Sequence, residues 1–135
     1  MVGIPLDKIR ILVVEDEDYT RQIICQLLRQ LGYRLLHEAS DGESGFKELV
    51  RVRPLLVLCD VHMQPLDGLG FLAKVRGMAN PSVAETPVVF LTADKQQETV
   101  LTAKKLQVDG YMVKPVSLQV LKQRLDTLLK SRGIL

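Results

Sequence analysis

The sequence has no tryptophan, and aromatic residues make up only 4% of its 135 residues. It also lacks a nucleic-acid recognition motif. Lysines and arginines such as Lys104, Lys105, Lys122, Arg124, Lys130 and Arg132 therefore read as solvated helix faces, and no direct nucleic-acid binding is expected. The net charge of +2 is too small to argue for a nucleic acid or a membrane. The two histidines, His37 and His62, are too isolated from each other to make a zinc pair. Cys25 and Cys59 have neither metal-ligand spacing nor a disulfide framework. Both sit in apolar segments and read as buried thiols in a reducing compartment. No apolar run approaches membrane-spanning length, and the N-terminus lacks a charged-then-apolar signal pattern, so a cytoplasmic protein is expected. Repeats, low-complexity tracts and linkers are missing too, and no second domain is expected.

What is present is enough apolar content, 47%, for one hydrophobic core and enough charge, 25%, for an ordinary surface. Short apolar runs alternate with amphipathic stretches. Ile9 to Val14 reads as a buried strand. The stretch from Asp18 to Leu31 reads as a helix with Tyr19, Ile23, Leu27 and Leu31 at helical spacing, ended by Gly32. Tyr33 to Ala39 is a weaker strand. Ser40 or Asp41 caps a helix carrying Phe46, Leu49 and Val50. Leu55 to Cys59 is apolar throughout, as a central strand covered on both faces must be. A short helix from Gly68 to Arg76 is followed by a polar loop from Met78 to Thr86. Further along come a strand from Pro87 to Leu91, a fourth helix from Gln96 to Leu106 and a strand from Gly110 to Val113. Ser117 caps a last helix with Leu118, Leu121, Leu125, Leu128 and Leu129 on its apolar face. Five strand–helix units in strict alternation predict an α/β doubly wound parallel sheet with helices on both faces.

In such sheets ligands bind beyond the carboxyl ends of the strands. Those ends carry Glu15-Asp16, Asp60, Thr92 and Lys114-Pro115. Three carboxylates, a hydroxyl and an ammonium thus converge on one rim. Clustered carboxylates raise each other's pKa, and a divalent cation relieves the repulsion. An oxygen-only ligand set favours Mg²⁺ or Mn²⁺ over zinc. Lys114 and the metal balance charge on a phosphoryl group, Thr92 donates to a phosphoryl oxygen, and the Asp60 carboxylate is the natural nucleophile for an acyl phosphate.

Glu15-Asp16, Asp60, Met63, Asp67-Gly68, Thr92-Ala93, Tyr111 and Lys114-Pro115, in this order, resemble the signature of CheY-like receiver domains of two-component response regulators. The resemblance implies a flavodoxin/CheY-like three-layer sandwich with strand order 2-1-3-4-5. It implies a receiver domain over residues 8–131, with 1–7 and 132–135 as short tails. Asp60 is then the phosphoacceptor. Asp16, Glu15, Asp60 and the backbone carbonyl of His62 hold the metal. Thr92 and Lys114 bind the phosphoryl group, and Tyr111 moves with Thr92 as the switch. Lys114-Pro115 resembles a cis peptide that aims the ammonium inward. His62 and Asp94, two residues after Asp60 and Thr92, are expected to pair across the site and tune dephosphorylation. The donor is expected to be a sensor histidine kinase or a histidine phosphotransfer protein, docking over the rim and first helix near Thr20 and Ile23. The output partner is unknown, and it is expected at the face made by the fourth helix, fifth strand and last helix. A monomer or weak dimer is expected. The protein is no enzyme beyond catalysing its own phosphorylation and dephosphorylation. Departures from the pattern are Gln64 before Pro65, the longer loop from Met78 to Thr86, and Val116 in place of a frequent phenylalanine.

Two other functions compete. Asp16-Glu17-Asp18 fits the Asp-x-Asp pattern of haloacid-dehalogenase-like phosphatases, with Asp16 as nucleophile, but Asp60 is then unexplained and the late acidic pair is missing. A nucleotide- or flavin-binding flavodoxin-like module is the other. No Gly-rich phosphate loop follows the first strand to support it.

Overall fold

The computed structural model of the protein describes residues 3–135. Five parallel strands are joined in the order β2-β1-β3-β4-β5: β1 Arg10–Val14, β2 Leu35–Ala39, β3 Leu56–Cys59, β4 Val88–Thr92 and β5 Gly110–Val113. The helices are α1 Asp18–Leu31, α2 Gly42–Val52, α3 Gly68–Arg76, α4 Pro81–Ala84, α5 Gln97–Lys105 and α6 Leu118–Ser131, with a single 3₁₀ turn at Leu6–Lys8. The predicted order and alternation are as expected. The central strands β3 and β4 are buried at every position, whereas the edge strand β2 is mostly half-buried or exposed. That contrast is what a parallel sheet covered on both faces produces.

Side chains of successive strand residues point to opposite faces, which makes two cores. Ile11, Val13, Leu56, Leu58 and Met112 pack with Ile24 and Leu28 of α1 and with Leu121, Leu125 and Leu129 of α6. Leu12, Val14, Val57 and Phe90 pack on the other face with Leu49 of α2, Phe71, Leu72 and Val75 of α3, and Ala103 of α5. Cys25 and Cys59 are buried free thiols, as expected. Among the described residues no helix is long and apolar enough to cross a membrane.

Three local expectations are corrected. The apolar stripe of α1 lies one position over from the predicted one. Ile24, Cys25 and Leu28 are buried, while Tyr19 is 75% and Ile23 38% exposed. Two apolar stripes run side by side on this helix, and the one facing Ile11 and Val13 wins. In the last helix, Leu118 at the first position is likewise exposed. The stretch from Met78 to Thr86 is not simply a loop, because it contains α4. The Asn80 side chain accepts from the Ser82 N–H at 3.0 Å, and Pro81 occupies the first helical position, where its missing N–H costs nothing.

The segments expected as tails lie together. The N–H of Ile4 donates to the carbonyl of Ile134 at 2.8 Å, and Leu6, Ile134 and Leu135 pack against the first core. Residues 1 and 2 of the 1–7 segment lie outside the described residues.

Candidate functional site

The strand order reverses direction between β1 and β3, and the crevice there opens at the carboxyl ends of both strands. β1 delivers Glu15 and Asp16 to it, and β3 delivers Asp60. Asp60 is fixed by continuing the ladder: its N–H donates to the Val14 carbonyl at 3.0 Å, and the Val61 N–H donates to its Oδ1 at 2.6 Å. Gly68, at the start of α3, packs directly on this backbone, and the Gly68 N–H donates to the Val61 carbonyl at 2.7 Å. A Cβ on Gly68 would stand 2.2 Å from the Asp60 carbonyl oxygen, so no other residue fits without moving the loop.

One oxygen from each of the Glu15, Asp16 and Asp60 carboxylates lies within 4.8 Å of the others. Glu15 is buried and Asp16 exposed. Lys114, just past β5, reaches into this group. Its Nζ donates to Glu15 Oε1 at 2.5 Å and to Asp60 Oδ2 at 3.1 Å. One ammonium cannot neutralise three carboxylates. Burial pushes Glu15 up to about 7, against the hydrogen bond from Lys114 and with the help of Asp16 and Asp60. Burial also works against the ionised form of Asp60. Hydrogen bonding from Thr92, the charge and hydrogen bond of Lys114, and the Val61 N–H outweigh it and hold Asp60 below its ordinary value. Asp60 is thus kept ionised while Glu15 carries the residual strain of the cluster. The surplus negative charge and the all-oxygen donor set fit a hard divalent cation such as Mg²⁺. Lys114–Pro115 is cis, as the resemblance implies, and Gln64–Pro65 is cis as well.

A second cluster lies beside the first. Thr92 is buried at the end of β4, and its Oγ1 accepts from the Asp94 N–H at 3.3 Å. His62 Nε2 and Asp94 Oδ2 are 2.6 Å apart, with the imidazole 70% exposed and the Asp94 carboxylate 6%. The pairing expected from their positions is therefore present in the geometry. Tyr111 stacks edge-on against Phe90, with ring centroids 6.1 Å apart, and its hydroxyl donates to the Asp94 carbonyl at 2.5 Å.

Two contributors were not singled out from sequence. One is Gly68 as a close-approach position. The other is Arg21, whose Nη1 donates to the Glu15 carbonyl at 2.7 Å, while Nε bonds Glu38 at 3.0 Å and Nη2 bonds Asp18 at 2.6 Å. Arg21 ties the Glu15 backbone to α1 and β2. Its only sequence signal is a lone arginine just after an acidic run. Asp16 does not cap α1, since Glu17 holds that position without a side-chain capping bond.

Comparison with known proteins places this arrangement. Residues 11–126 match the family model described as the response regulator receiver domain. A probable chemotaxis protein CheY of Rhizobium etli is 32% identical over 120 residues, spanning 89% of this chain and 92% of its own. Chemotaxis protein CheY-3 of Vibrio cholerae is 32% identical over 121 residues, spanning 90% of this chain and 92% of its own. Among solved structures, CheY4 of Vibrio cholerae superposes with a TM-score of 0.81 at 26% identity, covering 90% of this chain and 98% of that one. A putative response regulator from Chloroflexus aurantiacus superposes with a TM-score of 0.82 at 25% identity, again covering 90% and 98%.

Proposed function

The chain belongs to the response regulator receiver domain family, and on that premise we propose that it is a phosphorylation switch loaded on Asp60 from a phosphohistidine donor. The observation that carries this reading is the placement of Asp60. It is held ionised at the reversal point of the sheet, 3.1 Å from Lys114 and grouped with the Glu15 and Asp16 carboxylates.

An Asp60 carboxylate oxygen attacks the donor's phosphorus, forming the acyl phosphate as the nitrogen–phosphorus bond breaks and the electron pair returns to the imidazole. Lys114 and the Thr92 hydroxyl bind the phosphoryl oxygens. Asp16, Glu15, Asp60 and the His62 carbonyl would hold a Mg²⁺ or Mn²⁺ ion, which when bound would supply further positive charge against the phosphoryl oxygens and relieve repulsion among the carboxylates. The protein catalyses only its own phosphorylation and dephosphorylation, and the His62–Asp94 pair screens Asp60 from hydrolytic water. The receiver domain occupies residues 8–131.

The protein is cytoplasmic, and its donor is a sensor histidine kinase or histidine phosphotransfer protein, docking over the rim and α1, where Tyr19 and Ile23 are exposed. Phosphorylation draws Thr92 inward, and Tyr111 follows. The output face is then α5, β5 and α6, where Leu101, Val113, Leu118 and Val120 are exposed and available to a protein partner. The switch is a shift in population between two conformations of a monomer or weak dimer. The test is incubation with Mg²⁺ and acetyl phosphate: the wild type gains a single phosphoryl group and Asp60→Asn gains none. Undiminished labelling of the variant would overturn the reading.

A further inference from the structure

Asp94 makes more bonds than a tuning residue or a helix cap needs. Its Oδ1 accepts from the Gln96 N–H at 2.8 Å, just before the first turn of α5. Its Oδ2 accepts from the Thr99 hydroxyl at 3.0 Å and pairs with His62 Nε2 at 2.6 Å. Its main chain is engaged at both ends, with the N–H on Thr92 Oγ1 and the carbonyl receiving the Tyr111 hydroxyl. One residue therefore joins the loop after β3, the end of β4, the start of α5 and the ring on β5.

His62 is the one member of this set that comes from the loop carrying Asp60. The other partners sit on β4, α5 and β5. The α5-side bonds explain where Asp94 lies, but they do not connect it to the loop that carries Asp60. The imidazole supplies that connection, sharing Asp94 Oδ2 with the Thr99 hydroxyl. The Asp94 side chain thus ties the Asp60 loop to the residue whose main-chain carbonyl receives the Tyr111 hydroxyl. We propose that His62 is a positioning residue, a strut that acts through Asp94 to hold the Tyr111 hydroxyl and the start of α5 in the observed arrangement. This rests on the receiver reading only for its meaning, since it makes the Asp60 loop part of what sets the resting position of the switch. The linkage itself exists in the unphosphorylated chain. The strut is modest by construction, because the imidazole is mostly exposed and exposed pairs of this kind are worth little.

The experiment uses the full chain, labelled with 3-fluorotyrosine. Its three tyrosines, Tyr19, Tyr33 and Tyr111, give separate fluorine resonances, and Tyr111→Phe assigns the one of interest. Amide hydrogen exchange at Gln96 is read alongside, without phosphodonor. In His62→Ala the Tyr111 resonance is expected to shift or broaden, and the Gln96 amide to exchange about two- to five-fold faster. His62→Gln, which keeps a donor near the Nε2 position, is expected to return both toward wild type. If His62→Ala leaves both readouts at wild-type values while Asp94→Ala moves them, Asp94 serves α5 alone and the strut is wrong. Equal effects of His62→Ala and His62→Gln would also overturn it, since they would reflect loss of the ring and not of the bond. Acetyl phosphate labelling of the same samples tests the receiver reading separately.

Discussion

Lys114 Nζ stands 3.1 Å from Asp60 Oδ2 and 2.5 Å from Glu15 Oε1, so one ammonium spans the carboxylates delivered by β1 and β3. Its charge is reinforced by the partners it serves: burial works against the ammonium, but bonding to Glu15 and the charge of Asp60 raise its pKa overall. Lys114 therefore keeps its charge to higher pH than a free lysine. Lys114→Met keeps the stem and removes the charge. Losing one preorganised electrostatic group of this kind costs about 100-fold or more in rate. The labelling time course with acetyl phosphate is expected to slow by at least that factor, with Asp60 still the residue modified. A rate within about three-fold of wild type would remove Lys114 from the chemistry.

Asp16 is exposed and does not cap α1, so its carboxylate is not needed for the helix. Asp16→Ala removes one of the three repelling charges. Without metal, the variant is expected to unfold within about 0.5 kcal/mol of wild type, or to be more stable. Mg²⁺ affinity, followed by calorimetry, is expected to fall sharply. Unchanged Mg²⁺ affinity would place the cation elsewhere.

Alkaline pH should weaken the fold. Burial pushes the Cys25 thiol from 9.0 to about 11 and the Tyr33 hydroxyl from 10.0 to about 12, and it raises Cys59 as well. These groups are neutral when protonated, and the folded state holds their protons more tightly than the unfolded chain. Their contribution is fully present below the unfolded values. It is lost as pH rises from about 9 toward the folded values. The urea midpoint is expected to drop steeply between about pH 9 and about pH 11, and Tyr33→Phe should flatten the upper part of that drop. A flat profile over this range would contradict the burial of these groups.

Arg76 fastens α4 to the rest of the molecule. Its Nη1 donates to the carbonyls of Ala84 and Thr86 at 2.8 and 2.7 Å, and its Nη2 bonds Asp109 at 2.9 Å. Asp109 in turn accepts from the Val88 N–H and pairs with Arg132. Arg76→Ala leaves the Ala84, Thr86 and Gln107 carbonyls short of a donor and the Asp109 carboxylate with one cation fewer. A loss of about 2–3 kcal/mol is expected in urea unfolding, with phosphorylation of Asp60 retained. A loss below about 0.5 kcal/mol would mean that water replaces the guanidinium.

The parts of this molecule that were legible in its sequence are those set by local pattern. Leu56 to Cys59 reads as a central strand because every position is apolar, and the five strand ends list the site because ligands gather there. The α1 stripe is ambiguous in the sequence because Ile23 and Ile24, and Leu27 and Leu28, are adjacent pairs, and periodicity cannot say which member faces the sheet. The Arg76–Asp109 bond joins residues 33 apart, and the clearance at Gly68 depends on where Asp60 ends up. Neither leaves a local trace. The helix α4 did leave one, since Asn80-Pro81 is a cap followed by a first-turn proline.

The central claim is that Asp60 is the residue that carries the phosphoryl group, and peptide mapping tests it most directly. After incubation with Mg²⁺ and acetyl phosphate, the chain is digested under conditions that preserve acyl phosphates and the modified peptide is sequenced by mass spectrometry. The phosphoryl group is expected on the peptide containing Asp60 in the wild type and on no peptide in Asp60→Asn. A label on Asp16, or one that survives Asp60→Asn, would contradict the account and point to the phosphatase-like chemistry of the Asp16-Glu17-Asp18 run.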